Sequence, residues 1–248
     1  MIIKVISWNV LAVEFVKKSY YPSLNINSLN NRPKRIKKII NKLLEENPDI
    51  ILLQEVMKNE YNYLKKYLML NYYFSGLTNI NWANYKSSSE SGNVTLCKKS
   101  IFLSKFDFNE IVYNDSVFGS YIILKTKNDK ENIHVFNIHL DDVAWQTRLV
   151  QINIIRPLVE NLKYCIIGGD FNQEFNKTSK IYNIKDFIIH NTKNITYYIE
   201  KYMNIDNILS NGFISKKENI IIEEDQDKKI LFNKYGSDHI PVIIILQK

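Results

Sequence analysis

The sequence predicts an α/β fold in which two mixed β-sheets pack face to face and are flanked by helices. Two observations carry this. Short continuous apolar runs of strand length alternate with amphipathic helical stretches, the pattern of βα units with buried strands. Several strand-like runs also follow one another closely between residues 93 and 140, the pattern of antiparallel meanders. The mixture occurs in each half of the chain. No repeat at solenoid periods and no convincing linker divides it, so one domain over residues 1–248 is expected.

The elements follow in order. Residues 2–8, "IIKVISW", form an apolar strand. "RPKRIKKIINKLLEENPD" (32–49) is a helix. Pro33 suits its first turn, Ile36, Ile39, Ile40, Leu43 and Leu44 share one face, and Pro48 ends it. "DIILLQEV" (49–56) is a strand buried on both faces. A helix over 57–70 follows, then "ANYKSSSESGN" (83–93), a surface loop. "NVTLC", "SIFLS", "EIVY", "SYIILKT" and "NIHVFNIHL" are strands, with "KTKNDKEN" (125–132) a hairpin turn. "WQTRLVQINIIRPLVENL" (145–162) is helical, and Pro157 should kink or split it. "YCIIGG" is another buried strand. "IDNILSNGF", "ENIIIEE" and "IPVIIILQ" close the chain, with "IIIEEDQDKK" (220–229) pairing a strand with a charged turn.

A chain of 248 residues can bury a sizeable core without disulfides. Its two cysteines, Cys97 and Cys165, lie in apolar strand-like runs and read as buried structural thiols in a reducing compartment. The start "MIIKVISWNV" lacks the basic-then-apolar layout of a signal peptide, and no apolar run is long enough to span a bilayer. An intracellular protein, cytoplasmic or nuclear, without membrane insertion and monomeric, is expected. The net charge of +7 is compatible with a polyanionic partner. It does not establish one: only Arg32, Arg35, Arg148 and Arg156 among the 33 basic residues carry the planar fork that suits phosphate.

Six stretches place an Asn, Asp, Glu or His at the end of an apolar strand: "SWNVLA" (Asn9), "LLQEV" (Glu55), "FNIHLDD" (His139), "GGDFNQ" (Asp170, Asn172), "NIDNIL" (Asp206) and "GSDHIPV" (Asp238, His239). Each has a bland reading alone. Asn9 could bond a neighbouring loop, His139 could be a satisfied structural imidazole, and Asp206 could be any strand-end acid. Glu55 is costly to bury unless it is paired or binds a cation. Asp170 and Asn172 project to one side only if the chain stays extended, and Asp238 and His239, adjacent in an extended chain, should point to opposite sides. Together the six supply carboxylates and amide oxygens for a hard divalent ion, and two imidazoles for a phosphoryl group or a proton. A thiolate set, an HxxxH pair, a GxSxG elbow, a P-loop and a GxGxxG turn are all missing from the sequence. The combination fits metal-assisted hydrolysis of a phosphodiester or phosphomonoester.

In content and order, "WN", "QE", "HLD", "GDFN", "ID.I" and "SDH" over residues 8–239 resemble the endonuclease/exonuclease/phosphatase superfamily of DNase-I-like and exonuclease-III-like enzymes. The resemblance implies a four-layer α/β sandwich. It implies Glu55 as the main Mg²⁺ ligand (Mn²⁺ substituting), helped by Asn9 and Asp238. Asp170 would orient or deprotonate the attacking water, with Asn172 fixing it and the phosphate. His239 would stabilise the phosphoryl charge, held by Asp206, and His139 would be a second donor on that side. The implied activity is phosphodiester hydrolysis in nucleic acid, DNA or RNA, without a covalent intermediate.

The branch stays open. "SWNVLA…YYPSLN…R…DIILLQEV" looks like nocturnin-class deadenylases, with Arg35 where they keep a first-helix Arg. "NIHLDDVAWQTRLVQ" looks like small hydrolases in which Arg148 and Gln151 recur. "LQEV" with "SDH" is similar to the tyrosyl-DNA phosphodiesterases. Arg35, Arg148 and Tyr197 are the candidate substrate contacts, and Trp145, Tyr197, Tyr198 and Tyr202 could stack on bases or be core. A phosphoinositide or sphingolipid hydrolase of the same fold and a catalytically silent binding module are the alternatives.

Overall fold

The strands form where β-branched and aliphatic residues run together. They are β1 (Ile2–Asn9), β2 (Ile50–Met57), β3 (Tyr72–Phe74), β4 (Ser91–Lys98), β5 (Phe108–Tyr113), β6 (Ser116–Lys125), β7 (Asn132–His139), β8 (Cys165–Asp170), β9 (Ile188–Ile189), β10 (Asp206–Asn211), β11 (Ile214–Glu218) and β12 (Val242–Gln247). Five helices accompany them: α1 (Ile26–Leu29), α2 (Arg32–Glu46), α3 (Lys58–Leu68), α4 (Trp145–Val159) and α5 (Lys228–Tyr235). This is a computed structural model. It describes the chain except residues 17, 23, 79–90, 104–106, 176–183, 192–193, 199–201 and 219–227.

Two six-stranded mixed sheets result, ordered β11-β12-β1-β2-β4-β3 and β5-β6-β7-β8-β10-β9. Each has one parallel pair at its centre, β1 with β2 and β7 with β8, and antiparallel neighbours outside. The inner faces meet in a core that includes Val5, Leu52, Val135, Ile166, Ile208 and Ile244. Burying each such aliphatic side chain contributes about 1.5–3 kcal/mol. On the outer face of the first sheet, Ile36, Ile39, Ile40 and Leu43 of α2 pack with Leu64 of α3 and Leu231 of α5. On the outer face of the second, Ile152, Ile155 and Val159 of α4 pack on Phe136, Ile138 and Ile167. The layering is helix, sheet, sheet, helix, as the sequence predicts.

Several local expectations need correction. "SIFLS" is not a strand: residues 100–101 form a turn, and Phe102 makes one isolated bridge to Thr126. Helix α4 runs unbroken through Pro157, which sits in its last turn and removes a hydrogen bond only there. Asn47, left-handed at φ 46°, ends α2 ahead of Pro48, and Leu44 is half exposed rather than in the buried face. Residues 91–93 of the expected loop belong to β4; the rest of it, and most of 218–229, lie outside the described residues. Cys97 and Cys165 are buried free thiols.

Candidate active site

The two parallel pairs place their carboxyl ends together, the usual position for a ligand crevice in open α/β sheets. At the end of the second sheet, Asp170 pairs in register with His139 on β7 and with Asp206 on β10. Three polar side chains therefore stand in one row. In the first sheet Asn9 ends β1 opposite Gln54. Glu55 follows inside a bulge, where the β2–β4 register shifts between Leu53 and Val56 and its own φ is +58°. That region is rare for a long side chain, and bulges characteristically re-aim one.

The "GSDH" loop reaches the same place by being pinned to β1. Gly236 adopts φ +75°. The Ser237 hydroxyl donates to the Asn9 carbonyl (2.7 Å) and accepts from the His239 amide (3.1 Å). The Trp8 indole donates to the His239 carbonyl (3.0 Å). A cavity of about 380 Å³ opens between these ends, lined in part by Glu55, His139, Asp170, Asn172, Asp238 and His239.

Asn9 Nδ2 donates to Glu55 Oε1 (2.8 Å) and to Asp170 Oδ2 (3.0 Å), joining a carboxylate from each sheet. The Ala12 amide donates to Glu55 Oε2 (2.7 Å). Burial, with the Asp238 carboxylate nearby, pushes the Glu55 carboxyl up to about 8. Burial, with Asp206 beside it, pushes Asp170 up to about 7. His239 Nδ1 lies 2.8 Å from Asp206 Oδ2, and its Nε2 lies 3.7 Å from Asp170 and 3.9 Å from Asp238. Burial opposes its protonation, but the Asp206 and Asp238 carboxylates outweigh it and hold the imidazole well above its ordinary value. Burial, reinforced by His239, drives His139 down to about 3, so it is neutral. Its Nε2 lies 3.7 Å from Asp170 and 3.9 Å from Glu55.

The site therefore sets four carboxylates against one imidazolium. The Asp206 Oδ1 atom is buried without a hydrogen-bond partner. Carboxyl oxygens crowded in this way fit a hard divalent cation, which would favour their ionised forms. Asp170, Asp206 and His239 form a tight group, with candidate ligand atoms within 4.8 Å of one another. Asp206 Oδ2 is taken by His239 Nδ1, while Glu55 and Asp238 are further carboxyl groups in the cavity lining that could hold an ion.

Five expectations change here. Asn9 does not turn its oxygen to the cavity: Oδ1 accepts from the Leu11 amide (3.0 Å), which fixes the amide and makes Asn9 a positioner of carboxylates. Asp238 and His239 do not diverge, because residues 236–238 bend rather than extend, and both line the cavity. Arg35 is not in the cavity lining. It is buried, donating to the carbonyls of Gly236 (2.7 Å), Leu29 (3.2 Å), Val10 (2.7 Å) and Leu11. Arg148 is also buried, bonded to the Asp141 carbonyl (2.8 Å) and to Gln173 (3.2 Å), away from the cavity lining. Asn172 takes φ +50° rather than extending, so its amide N–H caps Asp170 Oδ1 (2.8 Å) while its side chain donates to Leu140 (2.8 Å).

Of the four aromatics, Tyr197 lines the cavity with its ring 5.1 Å from that of His239. Tyr198 is core, while Trp145 and Tyr202 are exposed. Sequence reasoning missed Tyr21, whose hydroxyl donates to Asp238 Oδ2 (2.9 Å), and Asp142, which lines the cavity. Tyr21 sits in a loop 217 positions away, where no periodicity marks it. Asp142 follows Asp141 in "HLDD", and only the pair was visible.

The family model for the endonuclease/exonuclease/phosphatase family matches residues 6–239. Many solved structures share the fold. ANGEL2, described as a 2′,3′-cyclic phosphatase and solved with adenosine-2′,3′-vanadate, is 15% identical with a TM-score of 0.82 over 99% of this chain and 95% of its own. The human Nocturnin catalytic domain with a bound sulfate anion is 16% identical with a TM-score of 0.74, covering 99% and 94%. D. rerio TDP2, complexed with a single-strand DNA product, is 16% identical with a TM-score of 0.69, covering 100% and 99%. At such identity the likeness is one of fold. No curated protein matches the chain by sequence.

Proposed function

The chain belongs to the endonuclease/exonuclease/phosphatase family, and we propose that it is a Mg²⁺-dependent hydrolase of nucleic acid phosphodiester bonds, with Mn²⁺ able to substitute. The observation that carries this reading is the convergence of Glu55 and Asp238 with Asp170, His139 and the Asp206–His239 pair around one cavity.

Glu55 and Asp238 would hold the ion. Bound there, it would supply charge neutralisation and polarisation of a phosphoryl oxygen. Asp170, pushed up to about 7, is poised to take the proton of an attacking water near neutral pH. Asn9 and the Asn172 amide each donate to one of its oxygens and orient it. The water oxygen bonds to phosphorus as the ester oxygen leaves. The imidazolium of His239, backed by Asp206, faces the charge that develops. His139, neutral and with Nε2 facing the two carboxylates, would donate to a phosphoryl oxygen in the tautomer protonated at Nε2. Phe15, Tyr20 and Tyr197 put aromatic side chains in the lining, which would suit a base and supports a nucleic acid over a small phosphomonoester. The structures of ANGEL2 with an adenosine vanadate and TDP2 with single-strand DNA support the same substrate class.

No helix among the described residues is long and apolar enough to cross a membrane. The two buried, unpaired cysteines support a reducing, intracellular setting.

The test is a panel of labelled substrates with Mg²⁺: poly(A), random single-stranded DNA, an abasic duplex, a 5′-tyrosyl oligonucleotide, an RNA ending in a 2′,3′-cyclic phosphate, and a phosphoinositide. Hydrolysis of at least one nucleic acid, abolished by EDTA, is expected. Turnover of the phosphoinositide alone, or turnover that survives EDTA, contradicts the reading.

A further inference from the structure

Near the end of β7, between Phe136 and Ile138, stands Asn137, fully buried. It belongs to the second sheet, yet its side chain is spent on the first. Nδ2 donates to the Leu53 carbonyl (3.1 Å) and to the Val94 carbonyl (3.0 Å). Oδ1 accepts from Gln54 Nε2 (2.8 Å). These three partners flank the β2 bulge: Gln54 and Glu55 together oppose one residue of β4, Leu53 precedes them, and Val94 pairs with Leu53. Glu55 takes φ +58°.

A bulge interrupts its ladder and leaves backbone groups without their regular partners. Buried carbonyls need donors, and here Asn137 supplies them from across the inter-sheet gap. The gap is narrow enough because Gly168, paired with Asn137, has no Cβ; one would stand 2.4 Å from Leu52 Cδ1. The strand that carries Asn137 carries His139 two residues on, so the same β7 face touches the bulge and reaches the cavity.

We propose that Asn137 is a positioning residue for Glu55. It holds the bulge in the one backbone geometry that turns the Glu55 carboxylate into the cavity, and so ties metal affinity to the seating of one sheet on the other. This rests on the reading of Glu55 as a metal ligand. Asn137 touches neither substrate nor ion; it acts through the backbone of residues 53–55 and the side chain of Gln54.

The test uses Mn²⁺ binding to the full chain, read by the electron paramagnetic resonance of free Mn²⁺ and by calorimetry, with thermal melts in parallel. Asn137→Asp keeps the size and the acceptor for Gln54 but removes both N–H donors. Gln54→Met leaves Asn137 in place and removes its lateral anchor, together with the Gln54 bonds to Ser7 Oγ (3.4 Å) and the Leu52 carbonyl (3.2 Å). Losing a residue that orients a metal ligand costs about 10–100-fold in affinity, so the Mn²⁺ dissociation constant should rise by about tenfold or more in Asn137→Asp and less in Gln54→Met. Ile133→Val, in the same inter-sheet core but away from the bulge, should lower the melting temperature and leave Mn²⁺ affinity unchanged. Should Asn137→Asp not fold, Gln54→Met decides alone. Affinity within twofold of wild type in every folded bulge variant overturns the proposal. Glu55→Gln separates the two failures: unchanged Mn²⁺ affinity there removes Glu55 as a ligand and the proposal with it, whereas a loss there with none in the bulge variants removes Asn137 alone.

Discussion

Replacing Arg35 with Met separates two roles for one side chain. The family resemblance implies a substrate contact. The structure instead shows a guanidinium that donates to four main-chain carbonyls, those of Gly236, Leu29, Val10 and Leu11, and so ties the loop after β1 to the loop carrying Asp238 and His239. Met retains much of the buried volume and leaves those carbonyls without donors. Hydrogen bonds to a charged donor contribute about 1.5–3 kcal/mol each, but they do not sum, because the substitution also relieves the burial of the charge. Leaving a buried carbonyl without its donor costs about 1–3 kcal/mol, so after partial relaxation of the four a loss of about 3–5 kcal/mol is expected. That is a large part of a total stability of about 5–15 kcal/mol. With a urea slope of about 2–3 kcal/mol per M, the unfolding midpoint should fall by roughly 1–2 M. Urea unfolding followed by circular dichroism reads this directly. Arg35→Lys, which keeps a cation but loses the fork, should fall between. A loss below about 1 kcal/mol, accompanied by a raised KM, would refute the clamp and restore the substrate role.

Three further outcomes follow from single contacts. Gly169→Ala would put a Cβ 1.9 Å from the Ile138 carbonyl oxygen at φ +157°. Strain and overpacking each cost about 1–3 kcal/mol, so a melting temperature lowered by about 5 °C or more is expected, and an unchanged one contradicts the packing. Glu131 accepts from Lys163 (2.6 Å) and lies 2.9 Å from Lys248, and these ammonium groups hold its carboxyl down at about 2. Its folded value lies below its unfolded one, so its stabilisation is present above the ordinary carboxylate range and lost as pH falls toward 2. The difference in melting temperature between wild type and Glu131→Gln should therefore shrink from about pH 4.5 downward; a difference constant over that window contradicts the ion pairing. Asp206→Asn should lower kcat by about 10²–10⁴-fold with little change in KM, because it removes the partner that charges and aims His239; unchanged kcat would detach Asp206 from the chemistry.

The fold was legible wherever burial on both faces forced a continuous apolar run. β2, β8 and β12 are such runs, and each is flanked by the polar residues that the structure gathers at one end. The convergence of Asp170, Asp206 and His239 was legible because strand ends display side chains on a rigid frame. What stayed hidden depends on contacts that no local pattern encodes. The direction of the Asn9 amide is fixed by the Leu11 N–H in a loop with φ +60°. Arg35 lies next to the buried face of α2, yet its four acceptors come from three separate segments. Asn137 alternates with apolar neighbours on β7, so a polar residue there reads as facing solvent when it faces the other sheet. The spurious strand "SIFLS" shows the converse: three apolar residues in a short run yield a turn and a single bridge rather than a ladder.

The central claim is that Asp170 takes the proton of an attacking water in a site that depends on a divalent ion. The direct measurement is turnover of the best labelled nucleic acid by wild type and by Asp170→Asn at saturating Mg²⁺, with circular dichroism confirming that both are folded. Asn keeps the shape and can still accept one of the two hydrogen bonds that Asn9 and Asn172 donate, but it cannot take up the proton. The account predicts a loss of about 10²–10⁴-fold in kcat. A folded Asp170→Asn protein with near wild-type turnover would contradict it.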